Sequence, residues 1–134
     1  MDTEIIGALR ILIIDDSITM RQLIRHCLVS LGVSEVLQAE NGEQGLEILN
    51  SDQNIHVIFC DIHMDKMDGL EFCQRVRRTD DLRKRSLPII IMTGEQDKLM
   101  LDVVGDLGIV GILQKPFNIS QVNDVLAKGI GLVI

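Results

Sequence analysis

Three runs of consecutive apolar residues constrain this chain most: Ile11-Leu12-Ile13-Ile14, Val57-Ile58-Phe59-Cys60 and Ile89-Ile90-Ile91-Met92. Each is rich in strand formers and too short for a buried helix. None alternates with polar residues, so each reads as a strand covered on both faces. Strands of that kind belong to parallel sheets with helices packed on either side. Each run also stops at a polar group: Asp15-Asp16 after the first, Asp61 after the second, Thr93-Gly94 after the third. An ionised side chain at the end of a buried strand is costly unless something pairs with it.

The segments between the runs carry helical spacing. Met20, Leu23, Ile24, Cys27, Leu28 and Leu31 form an apolar stripe, with Arg21, Gln22, Arg25 and Ser30 off it. Ser17 or Thr19 is placed to cap this helix and Gly32 to stop it. Val36–Ala39 is a short strand, and Asn41-Gly42 opens a second helix with Leu46 and Leu49 inward. Gly69 to Arg78 is a third helix with Leu70, Cys73 and Val76 on one face, and Thr79 to Ser86 a charged loop or helix tail. A fourth helix is expected over about 96–107. Gly111–Gln114 is the last strand, ending at Lys115-Pro116-Phe117, and a closing helix turns Ile119, Val122, Val125, Leu126 and Ile130 inward.

Strand and helix thus alternate five times, which predicts a doubly wound α/β sheet of five parallel strands with five helices. The strand ends of a parallel sheet lie on one edge, where such folds bind ligands. Asp15, Asp16, Asp61, Thr93 and Lys115 are therefore expected in one cleft. The chain of 134 residues is read as a single domain, with a core of about 9–128 and an apolar tail at 129–134. That tail leaves two possibilities open: a stand-alone domain, or one followed by an output domain.

Three carboxylates in one cleft repel each other unless a cation sits among them. Oxygen ligands without a Cys or His cluster favour a hard ion, and an open hydrated site favours Mg²⁺, with Mn²⁺ as a substitute. Lys115 adds an ammonium, Thr93 a hydroxyl and Gly94 an unobstructed backbone amide. Together these groups can neutralise a transferring phosphoryl group, with Asp61 as the nucleophile that becomes an acyl phosphate. A buried ion-pair network without chemistry would not require all five groups on one edge.

Composition narrows the partners. With a net charge of −7, no Trp or Tyr and only three Phe, the chain is poorly suited to nucleic acid. Cys27, Cys60 and Cys73 sit in apolar patterns without paired spacing, as reduced core residues of a cytoplasmic protein do. The N-terminus carries Asp2 and Glu4 and so lacks the basic start of a signal peptide, and no apolar run approaches the roughly 20 residues of a membrane span.

The motifs Asp15-Asp16-Ser17, Asp61 followed by Met67-Asp68-Gly69, Thr93-Gly94 and Lys115-Pro116-Phe117 resemble the receiver domains of two-component response regulators, in outline the single-domain chemotaxis type. The resemblance covers about 9–128. It implies the flavodoxin-like strand order 2-1-3-4-5 and a phosphoryl group taken by Asp61 from a sensor histidine kinase. By the same resemblance Asp16, Asp61 and the main-chain carbonyl of His63 hold Mg²⁺, Asp15 acts largely through water, Thr93 and Lys115 grip the phosphoryl oxygens, and the Lys115–Pro116 bond is cis. Such a domain catalyses only its own phosphorylation and dephosphorylation, and is not otherwise an enzyme.

Departures from the family pattern bear on timing and output. Asp65 stands where Pro is usual, and is read as pointing to solvent. His63 and Glu95 occupy the positions that gate the hydrolytic water and so tune lifetime. Ile112 replaces the usual aromatic residue at the switch position, so a repacking is expected in place of an aromatic flip. Leu101 falls opposite the apolar stripe of the segment 96–107. That segment, the last strand and the last helix are the expected partner or homodimer surface. His26 and His56 are read as structural or surface residues. An aspartate-nucleophile phosphatase would need a second Asp where His63 stands, a flavodoxin a phosphate loop where Asp15-Asp16 stand, and a pseudo-receiver would have lost part of the acidic cluster.

Overall fold

The computed structural model describes residues 3–51, 54–94 and 107–131. Its five strands are β1 (Arg10–Ile14), β2 (Glu35–Ala39), β3 (Val57–Asp61), β4 (Ile89–Thr93) and β5 (Gly111–Gln114). They form one parallel sheet in the order β2-β1-β3-β4-β5, the expected topology. The helices are α1 (Thr3–Ala8), α2 (Ile18–Ser30), α3 (Gly42–Asn50), α4 (Gly69–Arg77), α5 (Leu82–Arg85) and α6 (Ile119–Gly129).

Six helices among the described residues replace the expected five. Two of them are additions. The first is α1, held by buried Ile6 and by the Ser34 hydroxyl donating to the Gly7 carbonyl at 2.6 Å. The second is α5, within the stretch read as a charged loop or tail. There the Asp81 side chain accepts from the amides of Arg83 and Lys84 at 2.9 and 3.1 Å, and this cap organises a single turn. The helix expected over 96–107 lies outside the described residues except for its last position, Leu107.

Strand alternation divides the core in two. Leu12, Ile14, Ile58, Cys60, Ile89 and Ile91 face the layer of α3 and α4, where Leu49, Phe72, Cys73 and Val76 meet them. Ile11, Ile13, Val57, Phe59, Ile90 and Met92 face the other layer, where Ile6, Ile24, Leu28, Val122 and Leu126 pack. Every residue of β3 and β4 is buried, as the unbroken apolar runs required. Ser17, Asn41, Asp68 and Asn118 cap α2, α3, α4 and α6 respectively, so each of these helices starts at a side chain that satisfies its first free amides.

Two details of the α2 stripe are reversed. Leu23, expected inward, is 43% exposed, and Arg21, expected off the stripe, is 7% exposed. Ile119, expected inward on the closing helix, is also exposed at that helix's first turn. No helix among the described residues is long and apolar enough to cross a membrane.

Candidate functional site

The backbone delivers the polar strand ends to one edge. The parallel ladder runs past the strands: Asp15 N–H donates to the Ala39 carbonyl at 3.1 Å, Ile62 N–H to Met92 at 3.1 Å, and Lys115 N–H to Thr93 at 2.8 Å. Asp61 and Thr93 are the last residues of β3 and β4, and Asp15, Lys115 follow β1 and β5 directly. Asp15, Asp61, Thr93 and Lys115 are therefore placed by the inter-strand ladder, and Asp16 follows Asp15 in the chain.

Side chains close the cleft. One carboxylate oxygen from each of Asp15, Asp16 and Asp61 lies within 4.8 Å of the others. Asp15 is fully buried, Asp61 is 6% exposed, and Asp16 is exposed. The Lys115 Nζ stands 3.2 Å from Asp15 Oδ2 and 3.3 Å from Asp61 Oδ1. The other Asp15 oxygen accepts from the Ser17 amide at 2.9 Å, where the chain turns into α2. The Lys115–Pro116 bond is cis.

The balance of charge at Asp61 is unfavourable. Burial and the neighbouring Asp15 carboxylate raise its pKa above the ordinary 3.8. The Lys115 ammonium and the His63 backbone N–H oppose the rise without cancelling it. One lysine among three carboxylates leaves the cleft short of positive charge. The three oxygens lie close enough together for one hydrated cation to sit among them. The donor set is all oxygen, so these residues suit a hard divalent cation.

Thr93 is buried in line with the cleft, and its hydroxyl donates to the Gly94 carbonyl at 3.0 Å. His63 and Asp65 are exposed on the loop after β3, in keeping with a solvent-facing Asp65. Ile112 lies on β5, the edge strand, and is 40% exposed. Glu95 and Leu101 lie outside the described residues.

Two site-building residues escaped the sequence reading. Arg21 donates from its guanidinium to the Asp15 main-chain carbonyl at 2.6 Å and to Gln38 Oε1 at 3.2 Å. It ties α2 and β2 to the backbone of a site carboxylate. Its only sequence signal was a charge one turn into a helix that starts at the site. Gly69, the first residue of α4, lies so close to β3 that a Cβ there would stand 2.3 Å from the Asp61 carbonyl oxygen. Its own amide donates to the Ile62 carbonyl at 2.9 Å. Only glycine allows α4 to begin against the backbone of Asp61.

The cysteines have no part in this chemistry. All are free and buried. Burial pushes the Cys73 thiol up to about 12 and the Cys60 thiol well above its usual range, which leaves them protonated and unreactive.

Comparison with known proteins agrees with this arrangement. The family described as "Response regulator receiver domain" matches residues 11–127, which span every site residue named above. The chain is 33% identical over 123 residues to the "Probable chemotaxis protein CheY" of Rhizobium etli, covering 92% of this chain and 93% of that one. It is 32% identical over 123 residues to "Chemotaxis protein CheY1" of Helicobacter pylori, covering 92% and 98%. A solved structure of the Vibrio cholerae chemotaxis protein CheY4 superposes with a TM-score of 0.81 at 30% identity, covering 90% of this chain and 98% of that one. By fold, strand-end cluster and sequence, the chain belongs to the response regulator receiver domains of two-component signalling, and is of the chemotaxis-regulator type.

Proposed function

We propose that the chain is a phosphoryl-accepting switch in which Asp61 takes a phosphoryl group from a phosphohistidine of a sensor histidine kinase. The observation that carries this reading is the Lys115 ammonium standing between Asp15 and Asp61 in a cleft of three carboxylates. A kinase partner is also supported by a relative: over 123 residues the chain is 37% identical to part of "Sensor histidine kinase CheAY" of Helicobacter pylori, covering 91% of this chain and 15% of that protein.

An Asp61 carboxylate oxygen attacks phosphorus, the P–N bond of the donor breaks, and the imidazole leaves with the electron pair and takes up a proton. Lys115 already holds Asp61 Oδ1 and orients the carboxylate for attack, then shares its charge with the new phosphoryl oxygens. Thr93, if its hydroxyl turns from Gly94, supplies a further donor. Asp15, Asp16, Asp61 and the main-chain carbonyl of His63 would hold Mg²⁺, or Mn²⁺ in its place. The metal, when bound, neutralises charge on the transferring group. The group is removed by hydrolysis: water attacks phosphorus and gives up a proton, the acyl-phosphate P–O bond breaks, inorganic phosphate leaves, and Asp61 returns as a carboxylate. His63 and Glu95 are the proposed gatekeepers of that water. The protein acts only on itself, in the cytoplasm, and its output is a change of surface affinity, with Ile112 at the switch position.

Acetyl phosphate with Mg²⁺ should raise the intact mass by one phosphoryl group, and chelation should block the reaction. Asp61→Asn should abolish it. A modified Asp61→Asn protein would refute the assignment.

A further inference from the structure

A groove of about 540 Å³ is lined by the later turns of α3 and α4 and by Lys84 of α5. Its floor is apolar: Leu46, Leu49 and Val76. Arg75, Arg78 and Lys84 stand on its rim. The charge is unusual for this molecule. Residues 75–85 hold six basic side chains against two acidic ones, a net of +4 in a chain of net −7.

Not all of that charge is available. Arg77 is turned inward onto four backbone carbonyls, and Arg83 donates to the Ile55 carbonyl at 2.8 Å. Arg75 is paired with Glu71 at 3.1 Å, both half exposed. Arg78 and Lys84 have no ion pair among the described residues. The unspent charge therefore sits on the rim of the groove. A solvated basic helix face is common and alone requires no explanation. Here Arg78 and Lys84, the latter partly offset by Asp81 nearby, border a groove of mixed lining whose main accessible apolar side chain is Leu46, in a chain that is otherwise strongly acidic.

We propose that this groove docks an acidic peptide segment of a partner protein, with apolar side chains on the Leu46–Leu49–Val76 floor and carboxylates against Arg78 and Lys84. A nucleic acid fits less well. Phe59 and Phe72 are buried, the chain lacks Trp and Tyr, and no aromatic platform for base stacking borders the groove. The surface is separate from Asp61, so the docking stands or falls independently of phosphorylation.

The test uses the full, unphosphorylated chain and a fluorescein-labelled synthetic peptide of about ten residues, with two Leu one helical turn apart flanked by Glu and Asp. Fluorescence anisotropy should show saturable binding that weakens with salt, and amide shifts should concentrate on α3, α4 and α5. Arg78→Glu with Lys84→Glu should weaken binding by at least about tenfold, and Leu46→Lys should do the same by filling the floor. Arg78→Gln with Lys84→Gln serves if charge reversal disturbs folding, and thermal melts check each variant. Phosphorylation by acetyl phosphate should be unchanged in all of them. Equal binding of a polyglutamate of the same length would overturn the proposal, since a diffuse field would then explain it. So would binding untouched by the variants, absence of binding, or self-association of the chain through these residues.

Discussion

Asp61→Asn should make the metal-free protein more stable while it removes the acceptor. Asp61 shares the cleft with two carboxylates whose oxygens lie within 4.8 Å. At an effective dielectric of about 20, each such repulsion is worth roughly 3.5 kcal/mol, and attraction to Lys115 at 3.3 Å roughly 5 kcal/mol. Asp16 is exposed and its share is screened by solvent, so the Asp15 repulsion offsets most of the Lys115 attraction, and the desolvation of Asp61, the largest effect, turns the balance against the ionised side chain. The raised pKa of Asp61 points the same way. Its folded form keeps a proton that the unfolded form loses near 3.8, so its contribution to stability falls as pH rises from 3.8 through the folded value. The amide variant lacks that loss, and its side-chain oxygen can still accept from the His63 N–H. Lys115 retains Asp15 at 3.2 Å. Each kcal/mol of relief corresponds to roughly 3–4 °C in Tm for a domain of this size. Thermal melts in chelator should therefore place the variant above the parent. Millimolar Mg²⁺ should raise the parent more than the variant, because the ion relieves repulsion that the variant no longer has. A variant less stable than the parent in chelator, or an equal Mg²⁺ response in both, would refute this electrostatic account.

Three further outcomes are expected. His56 Nδ1 accepts from the Arg10 amide at 2.9 Å, and burial, Arg83 and Arg10 lower its pKa below 6.5. The unfolded chain thus binds the proton first, so stability should be present above pH 6.5 and be lost as pH falls from there through the folded pKa. Urea titrations across that window should show the slope, and His56→Gln should flatten it; an unchanged slope would contradict the assignment. Arg77 donates to the carbonyls of Leu107, Arg85, Leu87 and Gly108 at 2.7, 3.0, 2.8 and 3.3 Å, so Arg77→Met should cost about 3 kcal/mol in denaturant unfolding. Arg77→Lys should rescue little, since one ammonium cannot span four carbonyls. Arg21→Met should cost about 1–3 kcal/mol by leaving the Asp15 carbonyl without its donor, and should also slow acetyl-phosphate labelling; normal labelling would show that Arg21 serves stability alone.

The strands and the residues at their ends were legible because both signals are local. An unbroken apolar run names a strand covered on both faces, and the next polar residue names what that strand presents at the edge. Asp15, Asp61 and Thr93 needed nothing more, whereas Lys115 follows β5, a short and partly exposed strand, and was marked by the Lys115-Pro116-Phe117 motif. Arg21 was hidden because a helical wheel scores it as solvent-facing, whereas its burial depends on a carbonyl at the end of β1 and an amide on β2. Leu23 was misplaced for the same reason. The short α1 has no period to read, and rests on the contact of Ile6 with the α2–β2 turn, where Gly32 lies against it. The α5 turn did carry a signal, Asp81 ahead of good helix formers, but its charge made the stretch read as a solvated loop.

The ladder of amides that runs on past β1, β3 and β5 has a consequence for how such a site can change. Asp15, Ile62 and Lys115 are held by their own backbone N–H groups, so the address of each functional group is independent of what its side chain does. Exchanging one side chain alters reach, charge or nucleophilicity without moving its neighbours. The edge behaves as a set of fixed sockets. A lineage could retune the lifetime of the charged state, or abandon the chemistry and keep the scaffold, one codon at a time and without passing through an unfolded ancestor.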